Sequence, residues 1–204
     1  MDRKIGLGAG VLALALGASL GTGVASATAV PVTLSGALSC AVAGSYQFSS
    51  PLTNAGGSPV TVTVKAKLTG CTGPGSTNGT VTLTTGHLVA TSTATVVNAF
   101  GGVTSGEPLP ALTGTITWRA TGGKVTASTV SLTGQAISYD SGLNLISLYA
   151  TPVLSGGSYS GQKASTTGIT ANLAGAALSA KAAKGVKTIA FGKNGGTFTI
   201  GAGA

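Results

Sequence analysis

The most constraining stretch of this chain is Val60-Thr61-Val62-Thr63-Val64-Lys65-Ala66-Lys67-Leu68, where apolar and polar residues alternate without a break. A period of two sends valine and leucine to one side of an extended strand and threonine and lysine to the other. Such a strand is half buried, so the chain must supply a sheet with one apolar face. The alternation returns at 80–84, 112–118, 124–132 and 196–200. β-branched residues suit these positions because their stiff side chains lose little freedom on a pleated surface. Glycine-rich punctuation separates the runs at 54–59 and 73–79, and Gly122-Gly123 and Asn194-Gly195 carry the signal of tight hairpins. The pattern predicts an all-β fold, an antiparallel β-sandwich or barrel of about ten short strands. One segment departs from it. Residues 171–184 are alanine-rich, end in Lys184 and are followed by Gly185, which are helix-stop signals. A short helix on the sheet surface is expected there.

The first residues carry a separate message. Arg3 and Lys4 precede the apolar run Val11-Leu12-Ala13-Leu14-Ala15-Leu16, and small residues follow in Ala25-Ser26-Ala27-Thr28-Ala29. Charge, apolar core and A-x-A sites in that order mark a secretory signal peptide over residues 1–29, cleaved after Ala27 or Ala29. The apolar core is short and interrupted by glycine, whereas a spanning helix needs about 20 apolar residues. Residues 30–204 then form a single all-β domain of about 175 residues, enough to bury a core of its own. The protein is expected outside the cell, secreted or associated with the wall, with no transmembrane segment in the mature chain. Two cysteines remain, Cys40 and Cys71, and in an oxidising compartment they should pair.

Charge narrows the partners. Nine lysine and arginine residues of the mature chain stand against Glu107 and Asp140 alone, a net charge of about +7. Excess positive charge favours anionic surfaces, which outside a cell are wall polymers or lipid headgroups. Lys181, Lys184, Lys187 and Lys193 cluster in sequence and are the candidate contact with an anionic cell-wall polymer. No nucleic-acid partner is expected, because aromatic residues are not interleaved with the basic ones. Long, uncharged Thr/Val strands also make self-association through an exposed edge a candidate.

The residue inventory argues against catalysis. Glycoside hydrolysis usually needs two facing carboxylates, and Glu107 and Asp140 both stand in turn-like sequence, Ser105-Gly106-Glu107-Pro108 and Tyr139-Asp140-Ser141-Gly142. With one histidine, two cysteines expected to be bonded and two acids, no metal cluster and no cofactor are expected. A triad built on His87 has no G-x-S-x-G elbow to serve it. His87 itself, in Thr85-Gly86-His87-Leu88, sits at an expected strand edge or turn. A hydrolase using His87 is the enzyme-class alternative to a non-enzymatic structural or binding module. Trp118 shares one face of its strand with Ile116 and is expected in the core rather than as an exposed ligand platform.

Several short motifs carry a resemblance. They are Cys40, Tyr46 with Pro51-Leu52, Cys71, Gly-Thr-Ile-Thr-Trp at 114–118, and Gly185-Val186 leading to Gly-Thr-Phe-Thr-Ile at 196–200. Together the chain resembles a group of small secreted actinobacterial all-β proteins of uncharacterised function. The resemblance implies an exported β-fold and assigns no catalytic residue. Members often carry four cysteines, so a second disulfide of that group is missing here.

Overall fold

Period two is obeyed: Val62, Val64 and Leu68 are buried, while Lys65 and Lys67 are exposed. The computed structural model describes residues 30–53, 59–92, 96–97, 105–108, 111–140, 145–172, 184–192 and 195–201. In chain order the strands are β1 (Leu38–Leu52), β2 (Pro59–Val60), β3 (Val62–Thr72), β4 (Thr77–Asn78), β5 (Val81–Ser92), β6 (Val96–Val97) and β7 (Ser105–Pro108). They continue as β8 (Leu112–Thr121), β9 (Ser128–Asp140), β10 (Leu145–Gly156), β11 (Ala164–Thr167), β12 (Thr170–Asn172), β13 (Val186–Phe191) and β14 (Thr197–Ile200). Twelve of them share one antiparallel sheet, and β2 and β6 pair separately.

Neighbours in that sheet follow chain order, so the fold is an up-and-down meander. β1 pairs with β3, β3 with β5, β5 with β8, β8 with β9 and β9 with β10. β11 and β12 then act as one interrupted stave, and β13 and β14 as the next. β12 pairs with β10, β14 with β11, and both β13 and β14 pair back onto β1. Gly192 N–H donates to Thr170 O at 3.1 Å, joining the two interrupted staves at their shared break. The sheet thereby curls into a nearly closed barrel of eight staves. β10 and β11 share no continuous ladder: Val153 and Lys163 form an isolated bridge, and Thr166 Oγ1 donates to Ala150 O at 2.9 Å. Curling removes most of the free edge that an open sheet would offer to a second chain.

Apolar side chains of successive staves fill the interior, among them Val42, Val64, Leu88, Ile116, Leu132 and Phe198. Each contributes about 1.5–3 kcal/mol by leaving water. Two glycines let the wall bend inward. A Cβ on Gly114 would lie 1.9 Å from Val89 O, and one on Gly86 would lie 2.6 Å from the Trp118 ring. Glycine is the residue that admits such close approach.

One end of the barrel is sealed by the N-terminal segment. Val32 N–H donates to Lys124 O and Thr126 N–H returns to Val32 O, at 2.8 and 2.9 Å. Leu34 is buried, its N–H donating to Ser158 Oγ at 3.0 Å and its carbonyl accepting from Tyr159 N–H at 2.7 Å. Tyr159 holds φ at +61°, an uncommon conformation for a bulky residue, and its hydroxyl donates to Gly75 O at 2.7 Å. Burial pushes the Tyr159 hydroxyl well above its ordinary pKa, so it stays protonated and able to donate. Trp118 lies behind it, ring centroids 5.3 Å apart in an edge-on arrangement.

The barrel corrects several expectations. Gly122-Gly123 is not a tight hairpin: β8 ends at Thr121 and β9 begins at Ser128, because Val125 is taken up by a parallel bridge to Val32. Of the alanine-rich helix expected over 171–184, Ala171 and Asn172 belong to strand β12, and residues 173–183 lie outside the described residues. Pairing with β10 overrides helix propensity at the start of that run. The Asn194-Gly195 turn falls partly outside the described residues. Among the described residues no helix is long and apolar enough to cross a membrane. The expected pairing is present, with Cys40 on β1 bonded to Cys71 on β3.

Candidate binding surface

A barrel of eight staves is just wide enough to be filled by its own side chains or to hold one small ligand. Here the interior holds a cavity of about 40 Å³, lined by Tyr46, Ala66, Leu132, Ile169 and Phe198 with Thr166 as the polar neighbour. Small-molecule pockets typically run to about 300–1,000 Å³. Tyr46 packs against Phe191 at 5.7 Å between ring centroids, and burial raises its hydroxyl pKa far above the ordinary range. The inside of the barrel is a core.

The outside is where polar chemistry collects. Outward positions along β3 are Thr63, Lys65, Lys67 and Thr69; along β5, Thr85, His87, Val89 and Thr91; along β8, Thr113, Thr115, Thr117 and Arg119. Register aligns them in rungs. Thr63 faces Thr91, which faces Thr113; Lys65 faces Val89, then Thr115; Lys67 faces His87, then Thr117; Thr69 faces Thr85, then Arg119. The hydroxyls of Thr63 and Thr91 lie 3.2 Å apart. This outer face of hydroxyls and cations is the reverse of the apolar band that a barrel turns toward lipid.

His87 is exposed in the middle of β5, not at a strand edge or turn, with Lys67 and Thr117 as its cross-strand neighbours. A general base needs an orienting acceptor, and a lysine is not one. Glu107 lies in the short strand β7 and Asp140 closes β9, so neither is a turn residue as the sequence suggested. Pairing of β7 onto β9 claims the first, and pairing of Asp140 with Leu145 claims the second. Among the described residues no three His, Cys, Asp or Glu side chains converge on a metal-sized site.

Of the four clustered lysines, Lys184 and Lys187 are exposed, and Lys181 and Lys193 lie outside the described residues. Lys187 borders a surface depression with Gln47, Thr61 and Thr63. Sequence reasoning missed the juxtaposition of Lys65, Lys67, His87 and Arg119. Only the pairing order of β3, β5 and β8 brings them onto one face, and the outward parity of each strand was the one signal available. Trp118 is buried in the core and carries no ligand platform. No protein-family model, curated protein or solved structure matches this chain.

Proposed function

We propose that this chain is a secreted, non-enzymatic β-domain acting outside the cell as a binding or structural module, and that it meets its partner through the barrel's outer wall. The observation that carries this reading is the contrast between a filled apolar interior and an outer face of threonine, lysine and arginine. Three further features support it. The N-terminal pattern is that of an export signal. The Cys40–Cys71 bond suits an oxidising compartment. The short motifs resemble those of small secreted actinobacterial proteins. The exposed Lys184 and Lys187 favour a more specific form of the same reading, association with anionic wall polymers. A hydrolase using His87 is disfavoured by the lysine that faces it.

Expression in an exporting host with N-terminal sequencing of the recovered protein tests the export half of the reading. The expected product lies outside the cytoplasm and begins at Thr28 or Val30. Full-length protein retained in the cytoplasm would contradict it.

A further inference from the structure

We infer that the outer face of β3, β5 and β8 binds a linear polyanion of repeated phosphodiester groups, with Lys65, Lys67 and Arg119 as the principal contacts and His87 and the neighbouring threonines as additional donors. The inference deepens the reading of the chain as an extracellular binding module and rests on it. Strand geometry gives the patch its dimensions. Adjacent strands lie about 4.8 Å apart and alternate residues about 6.8 Å apart, so Lys65, Lys67 and Arg119 span roughly 10 Å by 14 Å.

Cations gathered on one face repel one another unless acidic side chains are interspersed among them. Here Lys67 faces His87, Lys65 lies two residues along the same face, and Arg119 is diagonal to His87. No ion pair to these residues occurs among the described residues, and all four side chains are exposed. The two carboxylate-bearing residues of the mature chain have their backbones elsewhere: Glu107 on β7 and Asp140 at the far end of β9, beyond the rung where Leu112 meets Leu132. The cation patch lies on the other side of that rung, toward the end sealed by the N-terminal segment, where Lys124 also stands.

The shape of the patch selects the partner. It lies on a convex wall with no enclosing pocket, so a single small anion would reach one cation at a time. A polymer with repeated anions satisfies several together. Arginine's planar fork and the threonine hydroxyls donate to phosphate oxygens. No tryptophan, tyrosine or phenylalanine stands on these outward positions, so the face has no platform on which to stack nucleobases.

The test is equilibrium binding of the mature, disulfide-bonded protein to poly(glycerol phosphate) over a salt series, alongside phosphatidylglycerol vesicles. Wild-type protein should bind the polymer, with log K falling against log salt at a slope of about −2 to −3, as expected for three neutralised phosphates. The triple variant Lys65→Gln, Lys67→Gln, Arg119→Gln should bind at least about tenfold more weakly with a slope near zero, given that each lost contact removes its released counterion. Lys163→Gln, on the stave across the barrel from β5, should match wild type. Lys65→Arg with Lys67→Arg should retain binding, which separates charge from fold. Absence of wild-type binding, an unaffected triple variant, an equal loss in Lys163→Gln, or preference for vesicles would each overturn the proposal. A correctly exported protein that fails this assay removes only this face as a site. A protein retained in the cytoplasm removes the broader reading whatever the polymer does.

Discussion

Replacing Trp118 with alanine is expected to cost about 3–5 kcal/mol of folding stability, the range for deleting a large buried aromatic side chain. Its indole lies against Gly86, where even a methyl group would come within 2.6 Å of the ring. It packs edge-on against Tyr159. Its Nε1 donates to Ser128 Oγ at 2.8 Å, and that hydroxyl donates to Ser158 O at 2.6 Å. Ser158 Oγ in turn receives the Leu34 N–H. One side chain thus ties β5, β8 and β9 to the segment that seals the barrel end. Alanine would leave a void beside Gly86 and remove the aromatic support of a tyrosine already at positive φ. Denaturant unfolding followed by far-UV circular dichroism should show the loss, and the melting temperature should fall by about 10 °C or more. A change below about 1 kcal/mol would mean that the barrel end is not organised around this residue.

Removing the disulfide with Cys40→Ala and Cys71→Ala is the second large effect. The bond closes a separation of 31 residues that spans β1, its connection and β3. In the chain-entropy account, losing it destabilises the fold by about 3.5 kcal/mol. The folded strands already hold the two positions together, since Ser39 pairs with Thr72 and Ala41 with Thr69 on either side of a register shift. The loss is therefore expected mainly through the freer unfolded chain. Wild-type protein in strong reductant should unfold at the same denaturant concentration as the double variant. Equal stability of oxidised and reduced wild type would contradict this account. A domain with a total stability of about 5–15 kcal/mol loses a large share of it with this bond.

How much of this was legible beforehand divides along physical lines. Strand content, the inward set Val62, Val64 and Leu68, the burial of Trp118 and the cysteine pairing follow from local period and residue chemistry. Closure of the sheet did not, because it depends on β13 and β14 returning to β1 across the whole chain length. The sealing role of Val32 and Leu34 was equally hidden: a parallel bridge to Val125 leaves no periodic trace. The alanine-rich run misled at its start because helix propensity is a weak prior against a waiting sheet edge. The site suffered most. Sequence clustering drew attention to Lys181 through Lys193, whereas proximity on a sheet is set by register, and Lys67 and His87 meet only because β3 pairs with β5.

The measurement that bears most directly on the central claim is fractionation of an exporting culture into cytoplasm, medium, wall and membrane, with the wall washed in rising salt. Wild-type protein is expected on the wall at low salt and released as salt rises. The Lys65→Gln, Lys67→Gln, Arg119→Gln variant should pass into the medium without a wash. Wall association that resists salt, or that survives unchanged in the variant, would contradict it.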